Sequence, residues 1–354
     1  MLLRKMKTSI TIEEALRKAR PGLRYRIERS ISLLKKAERL AMMYDADNGF
    51  YLAFSGGKDS QALYHIAELA GVRFKAHFSP TTVDPPQLLR FIRRQYPEAE
   101  FERVDKSIYQ VAKEMGMVPT MRLRWCCAKF KEGSGAGRVT LTGVRHAESV
   151  KRAKRKEVEV SGHKFAGNLD EFNEWSEGKR EKIARKYKNL NQDEFSREKE
   201  QEIRCINGKD SIIINPIIEW RDSDVWQFLN KVMEVPHCEL YDPPFNRHRI
   251  GCILCPMSSY KTKLRDIELY PYVKQKWLEV FEYFIGGGYD PDYTKRECNK
   301  SRDWPHDTGG YANRFGSTPR GQQNCPPPPQ KGGIKSIRQR GTQETGSRDG
   351  EEPG

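Results

Sequence analysis

The stretch Tyr51-Leu-Ala-Phe-Ser55-Gly-Gly-Lys-Asp-Ser60 constrains this chain more than any other, because an apolar run ends in a glycine pair and a helical pattern starts directly behind it. A strand that turns straight into a helix needs backbone conformations closed to residues with a Cβ, and Gly56 and Gly57 supply them. The same turn aims successive backbone N–H groups at one spot, to which the new helix adds the positive end of its dipole. Ser55 and Ser60 can add hydroxyl donors and Lys58 a charge, so the segment predicts an anion site suited to phosphate. It is not a Walker A loop, which needs four residues between its first glycine and Gly-Lys.

Short apolar runs alternate with helical stretches around this turn. Residues 50–54, 72–78, 101–104 and 138–144 read as strands, and 60–70, 87–94 and 108–115 as helices. That alternation predicts an α/β fold, a Rossmann-like open parallel sheet with helices on both faces. Residues 10–45 show a helical period, with Ile31, Leu34 and Ala37 on one face and Pro21-Gly22 as a break. Over 151–204 the strand signal stops and 15 Lys and Arg stand against 12 acids, which predicts a charged helical insertion. A buried strand returns at 211–218, a helix at 222–232, and a long amphipathic helix at 268–285 ended by Gly286-Gly287-Gly288. Residues 316–354 are rich in Gly, Pro, Gln, Arg and Ser and are expected to be disordered. The expected organisation is a basic helical segment over 1–48, a nucleotide-binding domain over 49–305 and a low-complexity tail over 306–354.

A second signal is Leu141-Thr-Gly143-Val-Arg145-His-Ala-Glu-Ser149-Val-Lys-Arg152-Ala153. Its strand delivers Gly143 and Arg145 to the carboxyl edge of the sheet, where open α/β sheets bind ligands. The planar fork of an arginine suits phosphate or sulfate. A third signal is the adjacent pair Cys126-Cys127 with a distant Cys252-Ile-Leu-Cys255. Four thiolates from two close pairs can surround one metal centre, and sulfur-only ligation selects zinc or an iron-sulfur cluster. Adjacent cysteines suit a single Zn2+ poorly because their side chains diverge, whereas a cubane has irons at separate corners; four unligated or redox-active thiols are the other reading. Cys205, Cys238 and Cys325 have no comparable partner. Asp84, before Pro85-Pro86, is a candidate for positioning a nucleotide or Mg2+, with a helix cap as the alternative. Trp220 and Trp226 read as core, while Arg247, His248 and Arg249 precede the second cysteine pair and can bring positive charge to a pocket.

Ser-Gly-Gly-Lys-Asp-Ser after a strand resembles the pyrophosphate loop of the PP-loop ATP pyrophosphatases and of the phosphoadenylyl-sulfate (PAPS) reductase family. The order Gly143, Arg145, Ser149, Arg152, Ala153 resembles the substrate-binding segment of the sulfonucleotide reductases, and the cysteine pattern resembles the 4Fe-4S motif of adenylyl-sulfate (APS) reductases and related sulfur-transfer pyrophosphatases. Spanning about 49–289, the resemblance implies an adenine nucleotide alpha-hydrolase-like fold. It implies an adenine nucleotide held by Ser55, Gly56, Gly57, Lys58, Asp59, Ser60, Asp84, Gly143 and Arg145, and a 4Fe-4S cluster on Cys126, Cys127, Cys252 and Cys255. Lys58 and Asp59 would then be working groups of an enzyme with one of two reactions. Sulfonucleotide reductases convert APS or PAPS to sulfite with electrons from a thiol donor, using a mobile cysteine in a Glu-Cys-Gly-Leu-His segment. Here Glu297-Cys298-Asn-Lys-Ser301 keeps only Glu-Cys, so Cys298 is the candidate nucleophile, in a basic setting that favours thiolate. Sulfur-transfer relatives instead cleave ATP between its α and β phosphates, with Mg2+ on the departing pyrophosphate and a sulfur donor protein, to thiolate tRNA or DNA. A metal-bearing nucleotide or nucleic-acid binding module without turnover is the non-enzymatic reading.

Charge bears on partners. The net formal charge is +15, and residues 1–40 hold 12 Lys and Arg against 4 acids, which points to a polyanion such as nucleic acid at the basic N-terminus. At 37% hydrophobic and 31% charged residues the chain is neither a membrane protein nor fully disordered. No apolar run approaches the ~18 to 20 residues of a membrane span, and none of signal-peptide length follows residues 1–9. The expectation is a cytoplasmic protein with no membrane partner, whose eight cysteines are not a disulfide framework.

Overall fold

Residues 10–161, 165–186 and 211–287 are described by a computed structural model. The run at 50–53 is buried on both faces, which is why it reads as continuous apolar sequence rather than as an alternation. It forms β1 (Phe50–Ala53), preceded by α1 (Ile12–Lys18) and α2 (Pro21–Tyr44) and followed by α3 (Lys58–Ala70). Next come β2 (Phe74–Phe78), α4 (Pro86–Gln95), β3 (Glu100–Phe101), α5 (Ile108–Met115) and β4 (Val139–Leu141). The described chain continues through β5 (Val158–Val160), β6 (Phe165–Gly167), α6 (Leu169–Lys186), β7 (Ile212–Ile214), α7 (Asp222–Gln227), α8 (Tyr260–Leu269) and α9 (Pro271–Ile285).

The strands form one sheet in the order β3-β2-β1-β4-β7-β5-β6. Five strands, β3 to β7 in that order, are parallel, with Leu52 opposite both Ala76 and Leu141. The chain winds from β1 toward β3 and then crosses to β4 on the other side of β1. The loops after β1 and β4 therefore part at a topological switch point, the crevice where open sheets bind ligands.

The α/β expectation holds, with differences that have physical reasons. The charged insertion carries the expected helix as α6, but ahead of that helix it adds an antiparallel hairpin to the sheet: β5 pairs with β7 and β6 pairs with β5. Val158 and Val160 bury against the sheet while Glu159 points away, and three residues among so many charges carry too little periodicity to announce a strand. The helix expected over 268–285 is two helices, since Pro271 has no N–H to continue α8 and instead opens α9. The expected basic segment over 1–48 shares the main core. Pro21 starts α2, and Leu23, Ile27, Leu34, Ala37 and Ala41 form a stripe packed with Phe50, Leu63 and Ile66. A second apolar cluster joins Val83, Ile108, Val111, Trp125, Ile253, Tyr270, Val273 and Val280, and so fixes both cysteine segments to α5 and α9. Residues 1–9, 187–210 and the tail over 306–354 lie outside the described residues. Among the described residues, no helix is long and apolar enough to cross a membrane.

Candidate functional site

The loop between β1 and α3 is shaped by its glycines and serines. Gly56 takes φ +68°, and a Cβ there would lie 2.7 Å from carbons of Leu88 and Ile92 on α4. Ser60 Oγ donates to the Gly57 carbonyl at 2.9 Å and accepts from the Ser55 N–H at 3.2 Å, with Ser55 Oγ donating to it at 3.1 Å. The Gln61 N–H bonds the Gly57 carbonyl at 2.9 Å. Before it, the Lys58 N–H donates to the Tyr241 hydroxyl at 2.8 Å. The N–H groups of Gly56, Gly57, Asp59 and Ser60 have no acceptor among the described residues. Four unclaimed donors around a helix start are a cradle for an anion. Gly143, just past β4, closes the back of this turn: a Cβ there would stand 3.0 Å from the Asp59 carbonyl oxygen and 3.2 Å from the Ser60 nitrogen.

Beside the cradle two cations and two carboxylates form a closed group. Lys58 is only 3% exposed, and its Nζ lies 3.1 Å from both Asp59 Oδ1 and Asp222 Oδ1. Arg145, 2% exposed, donates from Nε to Asp59 at 2.8 Å, from Nη2 to Asp222 at 3.0 Å and from Nη1 to the Trp220 carbonyl at 3.2 Å. The fork expected to meet an anion is held by protein groups in this state. Burial pushes the Asp222 carboxyl up, but hydrogen bonding and charge from Lys58, then Arg145, outweigh it and hold Asp222 below the usual carboxylate range.

The cysteine pairs lie at a different place. Cys126 and Cys127 share one helical turn, Trp125–Cys127, with Trp125 buried. The Ile253 N–H donates to the Val83 carbonyl at 2.7 Å and so docks the second pair against the segment after β2. The Cys126 thiol is pushed up by its hydrogen bond to Cys127, by burial, and by the charges of Cys127, Cys252 and Cys255. Cys127 is lowered to about 5, first by the hydrogen bond from Cys126 and then, against burial, by Arg124 and Lys131. Arg124 Nη2 donates to Cys127 Sγ at 3.1 Å, and Lys131 Nζ to Cys252 Sγ at 3.6 Å. Soft sulfur donors backed by cations fit a thiolate-bound iron-sulfur group. As placed, no group of three or more His, Cys, Asp or Glu among the described residues could hold a single metal ion, so the four thiols are neighbours rather than a one-ion cage.

Asp84 lies within electrostatic reach of the second cysteine pair. It accepts from the Thr81 N–H at 2.5 Å and its charge acts on Lys131 and Cys252, while the N-cap of α4 is Pro85, with no side-chain cap. Arg247 pairs with buried Asp266 and Arg249 with Glu148. Trp220 is core, and Trp226 packs against His237 and Tyr241. Several cations of the basic N-terminus are also paired: Arg20 and Arg26 with Asp224, Arg29 with Glu157 and Glu219, and Lys18 with Glu234. Cys205, Cys298 and Cys325 lie outside the described residues. Sequence reading overlooked Tyr241 and the ionic role of Asp222, since nothing local marks either one.

The family model of the phosphoadenosine phosphosulfate reductase domain matches residues 49–258. An uncharacterized protein of Methanocaldococcus jannaschii is 25% identical over 297 residues, which cover 83% of this chain; the chain spans about 61% of that relative's length. The crystal structure of Candida glabrata FMN adenylyltransferase is similar at a TM-score of 0.38 and 16% identity, covering 68% of this chain and 67% of that one.

Proposed function

The chain belongs to the phosphoadenosine phosphosulfate reductase family, and from that premise we propose that it is an enzyme acting on an adenine nucleotide whose phosphates lie in the 55–60 loop. The observation that carries this reading is the set of four unclaimed N–H groups beside buried Lys58, at the switch point of the sheet. In the reaction we favour, the nucleotide is a sulfonucleotide, APS or PAPS. A thiolate, for which Cys298 is the candidate, attacks the sulfonate sulfur, the bond from sulfur to the phosphate oxygen breaks, and the nucleotide leaves. A second thiol then displaces sulfite and ends as a disulfide with the first. Cys126, Cys127, Cys252 and Cys255 would hold a 4Fe-4S cluster, which would supply a rigid thiolate-bound centre joining the two cysteine segments.

One observation favours a second reading. Both cations nearest the loop are already matched by Asp59 and Asp222, so a substrate that arrives with its own cation suits the site better than a bare anion. That substrate is ATP with Mg2+, cleaved between its α and β phosphates to activate a nucleic acid for sulfur transfer.

Anaerobic purification with iron and sulfide counts, followed by incubation with labelled APS, PAPS and ATP, tests both readings. Sulfite release that stops in Cys298→Ser supports reduction, whereas AMP with pyrophosphate supports sulfur transfer. Failure to bind or turn over any of the three nucleotides overturns the nucleotide reading, and a colourless protein holding zinc or no metal overturns the cluster.

A further inference from the structure

Tyr241 reaches the phosphate loop from a segment far away in the chain. Its ring stands at 90° to Trp226 with centroids 5.0 Å apart and also packs on His237, so the phenol is held rather than swinging. The oxygen accepts the Lys58 N–H at 2.8 Å and lies 3.4 Å from where a Cβ of Gly57 would be. The hydroxyl accepts one bond and donates none among the described residues, so its own proton is spare. Burial pushes the phenol above its ordinary range, and it stays a protonated donor at any neutral pH. Accepting an N–H also polarises the O–H and makes it a better donor.

We propose that Tyr241 is a ligand-binding residue, which donates a hydrogen bond from its hydroxyl to a phosphoryl oxygen held by the N–H groups of Gly56, Gly57, Asp59 and Ser60. The assignment rests on the phosphate-loop reading above and extends it. Tyr241 accepts the Lys58 N–H at the helix start and offers its own O–H as a hydrogen-bond donor to the ligand. A residue on the segment leading to Cys252 thereby becomes part of the phosphate site.

Titration calorimetry of the full chain with inorganic pyrophosphate, ATP and adenosine tests this. Tyr241→Phe should weaken pyrophosphate and ATP by the same factor, about tenfold or more for a hydrogen bond to a charged group. Adenosine binding should not move, and the melting temperature should fall only slightly, because the Lys58 N–H loses its acceptor. Tyr241→Gln, which restores a donor, should recover part of the loss and stands in should the phenylalanine variant fold poorly. Equal or tighter pyrophosphate binding by Tyr241→Phe overturns the assignment, because the phenol would then be only a cap on the helix or a plug in the site. A shift in adenosine affinity as large as that for pyrophosphate overturns it too, in favour of a structural role. A wild-type chain that binds neither pyrophosphate nor ATP overturns the phosphate-loop reading and this assignment with it.

Discussion

Asp222 touches both cations of the phosphate site while its side chain remains 62% exposed, so one carboxylate on the rim is shared between two buried cations. Asp222→Asn would keep the shape and remove the charge, leaving Lys58 and Arg145 with Asp59 alone. Pyrophosphate should then bind several-fold more tightly, while the melting temperature falls, because buried cations lose a partner. Calorimetry and thermal melting check the two signs together. The pH dependence follows from the lowered carboxyl. A group held below its unfolded value adds stability above that unfolded value, about 3.9, and loses it as pH falls through the folded one. Denaturant melts between pH 6 and 2 should show an acid loss in the wild type that is smaller in Asp222→Asn. At Gly143 the constraint is steric. Gly143→Ala places a carbon 3.0 Å from the Asp59 carbonyl, so the variant should lose about 1 to 3 kcal/mol in denaturant unfolding and bind pyrophosphate less well.

Between elements, the contact that seats α2 runs through one hydroxyl. Ser30 Oγ donates to the Pro216 carbonyl at 2.7 Å and accepts the Trp220 indole N–H at 3.1 Å, with all three groups buried or nearly so. Ser30→Ala would orphan that N–H and is expected to cost about 1 to 3 kcal/mol in denaturant unfolding. Trp220 also offers its carbonyl to Arg145, so looser seating of α2 should reach the phosphate site as a modest fall in pyrophosphate affinity. The start of α5 shows the opposite case. Ser107 caps it reciprocally with Gln110 on an exposed face, and Ser107→Ala should lower stability by about 1 kcal/mol while leaving ligand binding unchanged.

For the molecule as a whole, what could be read in advance divides by range of contact. The phosphate turn, the parallel sheet and the breaks at Pro21 and near Gly286 are local patterns of glycine, proline and apolar runs, and these are legible in a linear sequence. The match of Lys58 with Tyr241 spans 183 residues and that of Arg145 with Asp222 spans 77, and nothing at either end marks the other. Arg145 illustrates the limit: its residue type and strand-end position suit an anion, yet two carboxylates that fold in from elsewhere reach it first. The same holds for the basic N-terminus, whose charge is visible in composition while its partners, Glu157, Glu219 and Asp224, are visible only in the fold. The small hairpin of β5 and β6 carries a further consequence. Without it β7 would end the sheet, and Ile212-Ile213-Ile214 would offer an apolar, unpaired edge to any other chain. With it that edge is paired to β5, and among the described residues the outermost strands are β3 and β6, neither of which carries a run of β-branched residues. The hairpin, which looks dispensable within the insertion, thereby takes up backbone groups of that isoleucine run that would otherwise stand open to another chain.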